Sequence, residues 1–205
     1  MRGFWWVILA TVTMSGALNA LQFDHLRVDG TSVIYDGDGQ DAPDRKDQYA
    51  LLDVLQRHPE VDTLVLEGDF ELSGTAINLG RIVEEYGLTT KIATRCANAC
   101  IYIFVSGRSR ILDQTAEISV HRRSIPPSSF RELYAELKDQ YAWRDISAMS
   151  TYAFARGQAD MVDSITHLME HGVTFDFAVR LFETRQDEPW TPTRGELVDG
   201  GVLSE

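Results

Sequence analysis

RCANACIYIFVSG, residues 95–107, decides how the rest of the chain is read. Two cysteines, Cys96 and Cys100, bracket Ala97-Asn98-Ala99, and an apolar run leads from there to Ser106-Gly107. Residues 97–105 are apolar on nearly every face, which predicts a buried helix. A short strand is predicted just before it, at 91–94, so a tight turn must join the two. A strand entering a buried helix through such a turn is a usual seat for a nucleophile. The central residue here is Asn98, and an amide has no lone pair to match an activated hydroxyl or thiolate.

Working outward, residues 25–36 alternate apolar and polar around Asp29-Gly30 and predict a hairpin. Residues 37–46 form a polar turn region, with Asp36 and Asp38 read as solvated. Helical spacing covers 47–57, a β-branched strand 61–66, and a second helix 75–86 that stops at Gly87. Beyond the quoted stretch come short strands at 111–112 and 118–121. A mostly helical region follows over 128–182, and then a tail ending in a short helix and an apolar strand at Val202-Leu203. Strands alternating with helices argue for an α/β fold with parallel strands.

The chain of 205 residues begins with a basic tripeptide and an apolar run, FWWVILATVTM, at 4–14. Small residues follow at Ser15-Gly16-Ala17 and Leu18-Asn19-Ala20, so residues 1–20 read as a signal peptide, with an uncleaved anchor as the alternative. Residues 24–205 then form a single domain, long enough to bury a core without staples. A net charge of −12 argues against nucleic-acid partners. Membrane contact is expected only through the N-terminal segment. Cys96 and Cys100 are four apart; on a helix that places their Cα atoms about 6 Å from each other, so a bond between them is open in an oxidising compartment.

The chain resembles the ClpP/crotonase superfamily, and within it the exported ClpP-like proteins of Gram-negative bacteria. The resemblance rests on Val65-Leu66 and the helix running through Gly80-Arg81-Ile82-Val83 to Gly87-Leu88-Thr89-Thr90, on the Cys96–Cys100 box, and on Phe104-Val105-Ser106-Gly107-Arg108. It rests also on Ile118-Ser119-Val120-His121 and on Trp190-Thr191-Pro192-Thr193 with Glu196-Leu197. It implies a superhelix of ββα units closed by C-terminal helices, a periplasmic location or an inner-membrane anchor facing the periplasm, and homo-oligomers. It also implies that Asn98 stands at the nucleophile position and His121 at that of the general base. Glu183 is the best-placed third member, with Asp187 next. Gly68-Asp69-Phe70-Glu71 falls where a Ser-Pro-Gly-Gly turn supplies oxyanion donors. Phe70 and Glu71 would crowd that turn, and Glu71 would bring a negative charge to a developing oxyanion.

The resulting expectation is a degenerate serine-peptidase homologue that binds a peptide or protein. Its groove would lie beside Leu66 and Asn98, with Gly68, Asp69, Phe70, Glu71 and Ala99 lining it, and with no cofactor or metal. Asn98 also reads as a simple N-cap of the buried helix, and His121 as a strand-end histidine bonded to a carbonyl. Two other readings stay open. One is an active serine hydrolase of the same fold that pairs His121 with Ser73 or Ser106. The other is a zinc peptidase through HLMEH, residues 167–171, which matches H-x-x-E-H and would put His167 and His171 on one helix face.

Overall fold

A computed structural model describes residues 25–38, 45–70, 73–121, 127–185 and 187–204. The signal-peptide call on residues 1–20, the assignment of Glu71 and the side chain of Ser73 lie outside the described residues. Among the described residues no helix is long and apolar enough to cross a membrane.

The chain opens with an antiparallel hairpin, β1 (Leu26–Asp29) and β2 (Ser32–Asp36). Gly30 at φ +59° makes the turn, a conformation that a side chain would disfavour. Helix α1 (Arg45–Arg57) leads to β3 (Thr63–Phe70), α2 (Ser73–Glu85) to β4 (Thr89–Asn98), and α3 (Cys100–Val105) to β5 (Ser109–Leu112). β6 (Glu117–Ser119) follows. The remaining helices are α4 (Pro127–Leu137), α5 (Ile146–Glu170), α6 (Phe175–Glu183) and α7 (Arg194–Asp199). Strands β2 to β5 pair in parallel in the order β1-β2-β3-β4-β5. The mixed α/β class with a parallel sheet is therefore the one expected.

β4 is the long strand, and it has two successive partners on one edge. Its first half pairs with β5 from Thr89 to Ile92, and its last part pairs with β6 from Arg95 to Ala97. On the opposite edge the β3–β4 register shifts between Leu66 and Gly68. An irregularity of this kind bends a strand, and it lies where β4 exchanges β5 for β6. Asn98 sits at the far end of that strand.

The core is apolar and continuous. Leu64, Leu66, Phe70, Leu79, Ile92, Ile103 and Phe104 are fully enclosed. All six residues of α3 are buried, as its sequence predicts. A buried carboxylate sits against the core: Asp47 on α1 accepts from Tyr35 Oη at 2.8 Å and meets His25 Nε2 at 2.7 Å. This fastens α1 to the hairpin. Burial and the Asp47 carboxylate together push the Tyr35 hydroxyl far above the usual phenol range.

Three expectations change. β3 runs on to Phe70 rather than stopping at Leu66, because Asp69 and Phe70 continue the ladder against Ala97 and Asn98. The buried helix starts at Cys100 rather than Ala97. The tail strand at Val202-Leu203 is absent. The N–H groups of both residues turn back to Leu197 O at 2.8 and 3.0 Å, and Arg110 takes the carbonyls of Gly201 and Val202 at 2.9 and 3.3 Å. With both donors and the Val202 acceptor already occupied, no ladder forms there. The aromatics of the helical region partly pack on one another: Tyr141 stacks on Trp143 at 4.8 Å, and Tyr152 leans on both. Phe154 and Val162 on α5 remain 69% and 59% exposed.

Helix α7 closes the fold with a capping box, in which Thr193 accepts from Glu196 N while Glu196 accepts from Thr193 N. Thr193→Ala removes one side of that exchange and should cost about 1 kcal/mol. Thermal unfolding is expected to shift down by roughly 2–4 °C, as read by circular dichroism.

Candidate functional site

The corner at Asn98 is built from three chain segments. Asn98 has φ +56°, a left-handed conformation that asparagine tolerates better than most residues. Held in this way, its side chain leaves the strand sideways and reaches both neighbours. Nδ2 donates to Asp69 Oδ1 on β3 at 2.6 Å, and Oδ1 accepts the His121 N–H beyond β6 at 3.0 Å. One partner is an acceptor and the other a donor, so the amide orientation is fixed by its surroundings. Asn98 does not cap α3: the N-cap position is Ala99, and it has no side-chain cap bond.

Two backbone donors at this corner, on Ala99 and Asp69, are also occupied. Ala99 N–H, one residue past Asn98, donates to Phe70 O at 2.7 Å. Asp69 N–H donates to Asp38 Oδ1 at 3.0 Å, and Arg95 holds both oxygens of the same carboxylate at 2.7 and 2.9 Å. Gly68 makes this approach feasible. Its φ is +97°, and a Cβ there would stand 2.6 Å from Asp38 N. An oxyanion hole needs N–H groups aimed at an empty position; the Ala99 and Asp69 N–H groups are aimed at a carbonyl and a carboxylate. The disulfide Cys96–Cys100 spans the corner and fixes the residues on either side of it.

The sequence-derived residues fall into place unevenly. Asn98, Asp69, Ala99 and the backbone of His121 meet at this corner. Phe70 does not crowd the site as expected; its ring is fully buried and packs edge-on against Tyr35 at 5.0 Å. Glu183 ends α6 at the surface, and Asp187 pairs with Arg185 at 3.0 Å. Among the described residues no hydrogen bond or ion pair joins either one to His121. Asp38 and Arg95 were not anticipated. Asp38 is exposed, as a solvated turn should be, but its carboxylate is committed to the corner. The turn sequence Asp36-Gly37-Asp38 offers no cue to a partner on β3.

Ser106 and the HLMEH motif meet elsewhere, in a closed seam. Ser106 Oγ donates to Tyr102 O at 2.9 Å and lies 3.2 Å from His167 Nε2, which itself bonds Tyr102 O at 2.9 Å. Both residues are buried. Gly80 of α2 packs so closely that a Cβ there would collide with Ser106 Oγ and reach Tyr102 O at 3.0 Å. A nucleophile so enclosed has no route to substrate. The zinc reading fails on direction. His167 Nε2 faces a carbonyl in the core, while His171 uses Nδ1 on His167 O at 2.7 Å and turns Nε2 toward Glu84 at 3.7 Å. Among the described residues no group of three or more His, Cys, Asp or Glu is placed to hold a metal ion. The motif instead fixes the end of α5 to α2 and α3.

No family model matches the chain, and no curated protein matches it. Among solved structures, the chain is similar to a crystal structure from Streptomyces coelicolor A3(2) described as an enoyl-CoA hydratase. The likeness covers 96% of this chain and 71% of that one, at 16% identity and a TM-score of 0.47. At that level it says nothing of the chemistry at Asn98.

Burial holds the His167 imidazole below its ordinary range, so the folded protein keeps it neutral. The unfolded chain takes up a proton at this residue below about pH 6.5, whereas the folded one resists doing so. Stability due to His167 is therefore fully present above that pH and falls as pH drops toward 5. The melting temperature should decline over this interval, and His167→Gln should flatten the decline; an equally steep profile in the variant contradicts the assignment.

Proposed function

We propose that this chain is a ClpP/crotonase-like domain that acts by binding a peptide or protein, and that the Asn98 corner carries no acyl-transfer chemistry. The observation that carries the reading is the two-ended Asn98 amide, bonded to Asp69 and to His121 N–H. Acyl transfer requires a nucleophile and a free donor for the oxyanion. The first is replaced by an amide, and the second is closed by Ala99 N–H on Phe70 O. Hydration of an enoyl thioester, the activity in the description of the Streptomyces coelicolor structure, also builds negative charge on a carbonyl oxygen and needs the same kind of donor. The occupied donors argue against both chemistries at this corner.

An exported location belongs to the same proposal. The Cys96–Cys100 bond supports it, because such bonds persist in oxidising compartments. Self-association belongs to it as well, as the resemblance implies. An active serine hydrolase is the weaker reading, since Ser106 is enclosed in the seam with His167.

A fluorophosphonate probe tests the central point. Neither the wild-type protein nor Asn98→Ser is expected to label above a heat-denatured control. Labelling of the wild type overturns the binding-domain reading. Labelling of Asn98→Ser alone shows that the donors open once the bridge is gone, and it refutes the claim that they are closed independently of it.

A further inference from the structure

Helix α5 shows water a face without charge. Met149, Ser164, His167 and Leu168 are its buried residues. Elsewhere on the helix Phe154, Met161, Val162 and Met169 are exposed, and Ile165 among them is half-buried. At 3.6 residues per turn all five fall within about 60° of Gln158, so they form one stripe. The charged residues of α5 are Arg156, Asp160, Asp163 and Glu170. Each lies about 120° or more around the helix from Gln158. Arg156 and Asp160 are paired with each other at 2.8 Å. A helix facing solvent ordinarily turns its charged side outward, and a contiguous exposed apolar strip marks an interaction surface.

The order of residues along the stripe says what covers it. Positions 147, 151, 154, 158, 161 and 165 alternate spacings of four and three, the seam of a coiled coil. The N-terminal half of that seam carries small side chains, Ser147, Thr151 and Ala155 beside Phe154. The C-terminal half carries large ones, Met161, Ile165 and Met169 beside Val162. A second α5 laid antiparallel with the two Gln158 residues level sets Met161 against Ala155, Ile165 against Thr151 and Met169 against Ser147. Phe154 meets Val162. Large opposes small at three levels, which is what close packing needs. A parallel copy crowds methionine on methionine at one end and leaves serine on serine at the other. The Gln158 amide has donors and an acceptor, so two of them on a twofold axis satisfy each other. Charge points the same way. Two copies of a chain at −12 repel, and an uncharged face is where they can meet.

We infer that α5 pairs antiparallel with α5 of a second copy of this chain, about a twofold axis at Gln158. The inference gives the self-association proposed above its surface and its symmetry, and it rests on that part of the reading alone.

Sedimentation velocity and thiol cross-linking on the purified, oxidised chain test it. The wild type is expected to sediment as a dimer. Val162→Glu, checked for native circular dichroism, should weaken that dimer about a hundredfold by bringing two carboxylates against apolar partners. The two native cysteines are already bonded to each other, so an added thiol reports only on the interface. Gln158→Cys should form a covalent dimer on mild oxidation. Thr151→Cys should not, because antiparallel pairing holds the two copies of that position about 21 Å apart along the helices. A monomeric wild type overturns the inference. So does a folded Val162→Glu with wild-type mass, which leaves self-association standing through another surface. Thr151→Cys cross-linking as readily as Gln158→Cys also overturns it, since that outcome requires a parallel pair. None of these results touches the Asn98 corner; serine-probe labelling of the wild type removes the binding reading whatever the assembly.

Discussion

The side-chain amide of Asn98 organises this protein. It sits in a left-handed turn at the end of the longest strand and holds Asp69 with one end and the His121 main chain with the other. A serine hydroxyl at the same place is shorter and presents a single oxygen, so it cannot span both neighbours. The bridge draws the ends of β3, β4 and the segment after β6 together. With β3 continued to Phe70, that residue's carbonyl lies over Ala99 N–H. The ends of these segments are tied together here, with a disulfide across the corner.

Rigidity at this corner is matched on the helical side. The buried seam of Gly80, Tyr102, Ser106 and His167 binds α2, α3 and α5 through one shared carbonyl, Tyr102 O. Buried polar groups are costly when left unpaired, and a seam in which each has a partner specifies one arrangement of the helices. Two of the sequence features that most suggested chemistry, Ser106 and His167, act in this seam as structure.

Much of the architecture was legible before any coordinates. The helices show 3.6-residue spacing and the strands are β-branched, so their alternation predicted a parallel α/β sheet. The departure at Asn98 was equally visible, because it is an identity at one position. The bridge itself was not, since Asp69 and His121 lie 29 and 23 residues away in sequence and neither has a local signature. Phe70 misled for a related reason: the residue type gives no account of which face of an extended β3 it takes, and it takes the core face. The tail at Val202-Leu203 misled because apolar β-formers predict a strand only where a free edge exists. Arg110 and the turn back to Leu197 had already taken those groups.

The claim that the Asn98 corner is closed is a claim about particular N–H groups, and amide hydrogen exchange reads them directly. The account predicts slow exchange at both Ala99 and His121 in the native protein. In Asn98→Ala it predicts exchange accelerated at His121 and little changed at Ala99, whose partner is the Phe70 carbonyl. Rapid native-state exchange at Ala99 would mean that the donor is free for an oxyanion, and would contradict the account.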